Sequence, residues 1–399
     1  MPYVSGWELF SEAVIDIESL GLRIAHKPIP GTTPYAVVDG RSNARWWLVP
    51  LQSGRVAASG LALFQPLLSS AKLIKLAAVI LSLIGLQRLW ARQIVYIGGE
   101  PSLKECFSAK AGLSYAYFTG TDSPHRKIAV QVMDAQGRLL GFAKLSRNPV
   151  VAVLLKHEAA MLQRVQALAL NSAHTPRVLF SGQQGGAQLL VTDTLKTAYT
   201  HSKTRFTAAH QDFLQELARL TALPQPLPVT ELAAKFAVRV EPVRPRLEHA
   251  WCQRLEAAVT TLAAQPLQTL LTVGLSHGDF TPWNTFIVKG RLYVFDWEYA
   301  EEALPLSNDI IHFVLNQPNI RNLHSEQKLD TAFKALSAPW TGLATTELST
   351  LVVIYLLTQI LRQVERLPSD ESHICDLDGA EEQAAMLDIL LARNTGTVH

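Results

Sequence analysis

The sequence predicts an α+β chain. A small antiparallel-sheet unit leads into a mostly helical half, behind an N-terminal extension of mixed α/β character. Between residues 114 and 193 the apolar runs read strand, strand, strand, helix, strand, strand. That order builds a sheet carrying one helix, not an alternating parallel array. From about residue 206 onward the apolar spacing is helical, with a single hairpin as interruption. The chain has 399 residues, 48% hydrophobic and 18% charged, enough apolar material for two or three cores.

In the N-terminal extension, residues 35–39 and 45–50 read as strands between Pro and Gly punctuation, and a helix is expected over about 67–92. No catalytic pattern lies there. In the sheet unit, strands are expected at 114–118, 127–134 and 138–144, with Asp134-Ala135-Gln136-Gly137 as the turn between the last two. A helix over about 150–170 follows, its apolar face built from Val151, Leu154, Leu155, Ala159, Leu162 and Val165. Strands at 177–181 and 188–193 are split by Gly185-Gly186. In the helical half, helices are expected at about 207–222 and 247–263, joined by an irregular connector marked by Pro224, Pro226, Pro228, Pro242 and Pro245. Its strand signals are 285–288 and 292–295, turned by Lys289-Gly290-Arg291. The expected parts are 1–95, 96–195 and 196–399.

Composition excludes several classes. The apolar fraction is too high for a disordered chain, and neither Gly nor Pro recurs with a fixed period. With 36 basic and 34 acidic residues the formal net charge is +2, so no nucleic-acid partner is expected. Cys106, Cys252 and Cys375 are far apart and odd in number, which excludes a zinc cluster and a disulfide framework and fits a reducing compartment. The first residues carry no basic segment followed by an apolar core, so no secretory signal is expected. The expected location is cytoplasmic.

Two apolar stretches bear on membranes. In residues 73–90 the uncharged core, 76–87, is shorter than the ~20 residues that span a bilayer. Lys72, Lys75, Arg88 and Arg92 flank it, as they would flank an interfacial helix on an anionic surface at the inner membrane face. The preferred reading is a core helix of the extension, with peripheral membrane contact through residues 72–92 as the alternative. Residues 351–362 read as a buried helix.

The strongest local pattern is Ser276-His277-Gly278-Asp279-Phe280-Thr281-Pro282-Trp283-Asn284, followed after the hairpin by Val294-Phe295-Asp296-Trp297-Glu298. These residue types suit phosphoryl transfer from ATP, which needs charge neutralisation and in-line positioning more than covalent chemistry. Mg2+ takes hard oxygen ligands, a carboxylate and an amide oxygen among them. A hairpin brings Asn284 and Asp296 to one end of a ribbon as a metal pair, and Asp279, one loop earlier, is placed to accept the proton of an acceptor hydroxyl.

The segment resembles the catalytic loop and metal-binding segment of the aminoglycoside phosphotransferase and choline kinase family, a branch of the protein-kinase-like fold. The resemblance covers roughly residues 100–320 in element order, with its specific motifs in 276–298. It implies a bilobal fold, Asp279 as catalytic base, His277 as the brace of the loop, and Asn284 and Asp296 as Mg2+ ligands. It also implies a strand lysine for the nucleotide phosphates and a helix acid to hold it; Lys144 and Glu158 are those types in those elements. Gly120, Thr121 and Ser123, with Arg126 or Lys127 adding charge, are open between a loop that covers the phosphates and a plain hairpin loop; the segment has one glycine, not the G-x-G-x-x-G of protein kinases. Thr192, within 191–194, falls at the hinge where main-chain groups would meet adenine. Asp309 falls where the family has a structural aspartate supporting the loop. Glu298 is open to two readings, a metal or acceptor ligand or a surface residue. Trp283, Trp297 and Tyr299 are open between an acceptor pocket and the core.

The function implied is an ATP- and Mg2+-dependent kinase acting on a hydroxyl of a sugar, amino-sugar or amino-alcohol. The extension resembles those of family members tied to envelope polysaccharide functions. Two rivals stand beside it: a catalytically silent nucleotide-binding regulator, and an aminoglycoside resistance kinase. The second calls for acidic residues around a polycationic acceptor, and the local acidic run is Glu298, Glu301 and Glu302. Oligomeric state is not set by the sequence.

Overall fold

A computed structural model describes residues 7–39, 45–64, 69–99, 101–107, 112–120, 125–197, 200, 202–344, 347–366 and 380–394. The chain divides into two compact units. The first runs to Gln166 and includes Pro176–Thr200; the second takes Ala167–Thr175 and everything from residue 201.

The first unit is built on one nine-stranded sheet. In chain order its elements are α1 (Trp7–Glu18), β1 (Arg23–Ala25), β2 (Thr32–Asp39), β3 (Trp46–Pro50), α2 (Gly54–Gly60), α3 (Ser69–Leu83), β4 (Ile94–Gly98), β5 (Ser114–Phe118), β6 (Ile128–Met133), β7 (Leu139–Ser146), α4 (Pro149–Ala167), β9 (Val178–Gln184) and β10 (Ala187–Asp193). The spatial order is β1-β4-β2-β3-β5-β6-β7-β10-β9, with antiparallel pairs throughout. Alternation along β5 sends Tyr115 and Tyr117 into a core shared with Ala13, Ile17 and Leu20 around α1, while Ala116 packs with Val56 of α2 and Phe118 packs against the Trp47 cluster. Val151, Leu155 and Ala159 of α4 pack on Leu190.

The expected boundary at residue 95 is not a boundary of the sheet. Trp47 pairs with Phe118 and Leu48 with Tyr117, and Thr119 exchanges hydrogen bonds with Trp46 through its main-chain N–H and its hydroxyl. Strands from the extension therefore continue the sheet of the next segment. β4 was not expected; it follows the apolar helix so closely that the run reads as one stretch. The Asp134–Gly137 turn forms as read: Asp134 Oδ1 accepts from the Gln136 and Arg138 N–H groups, and Gly137 takes φ +79.

The apolar helix corrects two expectations. It ends at Leu83 instead of about 92, and it is not a core helix. Ala78 and Ser82 face inward with Lys75, whose Nζ donates to the Phe64 carbonyl at 2.5 Å, while Leu73, Ile74, Leu76, Ile80, Leu83 and Ile84 are exposed. Periodicity marked the helix as apolar but did not show that its small and polar stripe packs against α2 and β3.

The second unit holds β8 (Ala173–His174), α5 (Ala208–Thr221), β11 (Leu227–Pro228), α6 (Val229–Val240), α7 (His249–Ala263), β12 (Leu270–Leu271), β13 (Val273–Ser276), β14 (Thr285–Val288), β15 (Arg291–Val294), β16 (Glu301–Pro305), α8 (Ser307–Leu315), α9 (Ser325–Leu336), α10 (Leu348–Arg366) and α11 (Glu381–Asn394). The expected irregular connector contains α6, which begins directly after Pro228 and ends before Pro242, so the prolines bracket a helix. β13 and β16 form a two-stranded ribbon the sequence did not signal. α10 is the one described helix long and apolar enough to cross a membrane, and 78% of its apolar window is buried inside the unit, as expected for residues 351–362.

Candidate active site

β13 ends at Ser276 and hands the chain to the loop 277–284, which the β14–β15 hairpin closes. Lys289 and Gly290 take φ 49 and 80 at its turn, the left-handed pair that a two-residue hairpin requires. Thr285 pairs with Val294, and the Phe295 N–H donates to the Asn284 carbonyl at 3.2 Å. Asn284 and Asp296 thus lie at the same end of the ribbon.

Asp309, in the first turn of α8, organises the loop from beneath. It is buried and accepts from the His277 N–H at 2.7 Å, the Gly278 N–H at 2.9 Å and the Ser276 hydroxyl at 3.0 Å. A buried carboxylate is tolerated when several donors replace its hydration. Gly278 has φ +80, and a Cβ there would lie 1.9 Å from the Tyr299 carbonyl oxygen, so only glycine fits. From α10, Arg362 donates to the Gly278 carbonyl at 2.6 Å and to Glu301 at 3.1 Å.

His277 lies across the loop. Its Nδ1 accepts from the Asp279 N–H at 3.2 Å, which leaves Nε2 to donate to the Phe295 carbonyl at 3.1 Å. Burial holds the ring below its ordinary pKa, against the raising effect of Asp309 and Asp279, so it is a neutral clamp. It ties the loop to the segment that carries Asp296.

Asp279 is itself positioned from two sides. Asn284 Nδ2 donates to its Oδ2 at 2.7 Å and its main-chain carbonyl at 2.9 Å. His312 of α8 places Nε2 3.0 Å from Oδ1, and Tyr355 of α10 lies 3.2 Å from the other ring nitrogen. The tautomer protonated on Nε2 satisfies both contacts. The Asp279 side chain keeps 28% exposure, so a hydroxyl can reach it. Sequence reading missed His312 and Tyr355; neither sits at a diagnostic spacing from the loop.

The oxygens at the end of the ribbon fit a hard cation. Asn284 spends its amide nitrogen on Asp279, which leaves its oxygen as a ligand. Carboxylate oxygens of Asp296 and Glu298 lie within 4.8 Å of each other. Asp296 takes φ +70, a left-handed conformation that Asp tolerates better than most residues. Glu298 is buried, which removes its surface reading. Trp297 belongs to the core, 4.6 Å from the His277 ring, while Trp283 is half-exposed.

In the first unit, Lys144 of β7 and Glu158 of α4 form a close ion pair, with Nζ 2.6 and 2.7 Å from the two carboxylate oxygens. Gly120 takes φ +81 beside the Lys127 carbonyl, where a Cβ would stand 2.5 Å from the oxygen. Thr121 and Ser123 lie outside the described residues. Arg126 is engaged within its sheet, donating to the Thr119 carbonyl at 2.8 Å and lying over the Trp46 ring. Thr192 sits in β10 opposite Phe142 and Val178, next to a register shift in the β9 pairing.

Residues 128–314 match the profile of the family described as APH, phosphotransferase enzyme family. The matched segment contains Lys144, Glu158, Asp279, Asn284 and Asp296, and it bears out the resemblance drawn from residues 276–298. No curated protein sequence matches the chain. Similar solved structures include a thermostable mutant of aminoglycoside phosphotransferase APH(4)-Ia in ternary complex with AMP-PNP and hygromycin B, at 14% identity and TM-score 0.49, covering 74% of this chain and 98% of that one. Another is an aminoglycoside 2'-phosphotransferase-IIIa mutant as its GDP complex, at 14% identity and TM-score 0.46, with 74% and 97% covered. A third is the gentamicin complex of APH(2")-IIa, at 14% identity and TM-score 0.43, with 72% and 93% covered.

Proposed function

We propose that the chain is an ATP- and Mg2+-dependent kinase that moves the γ-phosphate to a hydroxyl of a small molecule, a sugar, an amino-sugar or an amino-alcohol. The observation that carries the reading is Asp279, held at one oxygen by Asn284 and at the other by His312, yet still exposed. A carboxylate so fixed is built to receive a proton at one place.

The roles follow from the bonds. The acceptor hydroxyl gives its proton to the Asp279 carboxylate as its oxygen bonds to the γ-phosphorus; the bond to the β-phosphate oxygen breaks, and ADP leaves. Asn284, Asp296 and Glu298 would hold Mg2+, which neutralises charge on the phosphate oxygens. Lys144, oriented by Glu158, would meet the nucleotide phosphates as a positive group that cannot swing away. His277 and Asp309 keep the loop in one conformation, so the reacting groups need no rearrangement.

A polycationic acceptor is disfavoured because two of the three residues of the local acidic run, Glu298 and Glu301, are committed elsewhere. Glu301 is bound by Arg239 at 2.8 Å and Arg362 at 3.1 Å, and Glu298 is buried. Strands β1, β2 and β3 of the extension share the sheet that carries Lys144, which suits a role in shaping that unit.

The test is an ADP-release screen of the purified protein against sugars, amino-alcohols and aminoglycosides, with Asp279→Asn as blank. Acceptor-dependent turnover above the blank supports the kinase. Nucleotide binding with no acceptor-dependent turnover across the panel favours the regulator.

A further inference from the structure

We propose that α3 and the turn after it form an interfacial anchor that seats the protein on an anionic lipid surface. The helix is oriented opposite to a core helix. Leu73, Ile74, Leu76, Ile80, Leu83 and Ile84 are exposed, with Ile74 at 70% and Leu73 at 67%. At about 100° per residue these positions fill roughly half the circumference. The other half, Lys75, Ala78, Val79 and Ser82, is fastened to the protein. Ser82 Oγ accepts from Trp90 Nε1 at 3.0 Å, and Lys75 donates to the Phe64 carbonyl. The helix cannot roll to hide its apolar face without breaking these bonds. Gly85 continues the exposed strip with φ +83 and open space beside it, and Leu89 beyond it is 72% exposed. Folded proteins rarely leave so continuous an apolar strip to water.

Charge chooses the occupant. Residues 40–99 contain seven Lys or Arg and no Asp or Glu, in a chain whose totals are 36 and 34. Of these, Lys72, Arg88 and Arg92 border the strip, are exposed, and form no ion pair among the described residues. An apolar face bordered by these three cations matches acyl chains beneath anionic headgroups. A second copy would set these cations against their own kind.

The experiment is flotation of the full-length protein with vesicles of phosphatidylglycerol and phosphatidylcholine in equal parts, at low and high salt. Two variants are compared: Leu73→Glu/Ile80→Glu/Ile84→Glu, and Lys72→Gln/Arg88→Gln/Arg92→Gln. All six positions are exposed, and thermal melts matching the parent verify folding. The parent should float at low salt and much less at high salt. The apolar variant should bind at least about tenfold more weakly, and the charge variant about fivefold more weakly per cation removed. The proposal is overturned if the parent does not float. It is equally overturned if the parent floats as well on pure phosphatidylcholine, or if the apolar variant floats like the parent. Self-association abolished by the apolar variant, without vesicle binding, would assign the face to a second copy instead.

Discussion

His312 Nε2 lies 3.0 Å from Asp279 Oδ1, across 33 residues of sequence, and Tyr355 holds the far side of the same ring. The base is therefore aimed by a helix outside the loop that carries it. His312→Ala should lower kcat about tenfold while leaving nucleotide affinity nearly unchanged, because it loosens Asp279 without touching a phosphate-binding group. His312→Gln, which can still donate a hydrogen bond, should recover much of the loss. A fall in nucleotide affinity matching the fall in kcat would show a general structural role.

Asp296→Ala should remove Mg2+-dependent stabilisation by ATP, since the site loses the carboxylate at the ribbon end. A thermal-shift titration that still shows a Mg-ATP increment in the variant would place the cation elsewhere.

Lys144→Met leaves Glu158 buried without its cation and should cost roughly 3–5 kcal/mol, read from denaturant unfolding. The double variant Lys144→Met/Glu158→Leu should regain most of that stability without regaining nucleotide binding. Restored binding in the double variant would detach the pair from the nucleotide.

The second unit should lose stability in acid. Burial against Phe206, Phe280 and Phe313 pushes the His210 pKa down to about 4. Above about pH 7.5 the ring is neutral in both folded and unfolded chains, and it contributes no pH dependence. As pH falls from 6.5 to 4 the unfolded chain takes up a proton that the folded one refuses, which removes roughly 3 kcal/mol. His277, also held below its ordinary value by burial, acts in the same direction. Thermal melts from pH 7.5 to 4.5 should show the decline, and His210→Gln should flatten it.

The catalytic segment was legible because its chemistry is local: His277, Asp279 and Asn284 share one loop, and a single hairpin returns Asp296 to them. Lys144 and Glu158 were legible as a strand lysine and a helix acid in neighbouring elements. His312 was not, because only the packing of α8 against the loop brings it to Asp279. The α3 face was misread for a related reason. Apolar content predicts that a helix is buried, but here Ala78 and Ser82 are the residues small enough to sit close to α2, where the Gly54 Cβ position already meets the Ser82 carbonyl. That the extension continues the sheet was illegible because it depends on β3 meeting β5, a pairing across about 70 residues with no sequence signature.

The central claim is that Asp279 takes the acceptor proton during phosphoryl transfer. It is tested most directly by following product formation by phosphorus NMR with the best acceptor from the screen, comparing the parent with Asp279→Ala at equal nucleotide saturation. The account predicts a phosphate monoester signal from the parent. It also predicts a rate lower by ~10²–10⁴ in the variant, whose nucleotide Kd is little changed. A variant that forms the monoester at the parental rate, or that loses ATP affinity while its turnover per bound ATP stays constant, would contradict it.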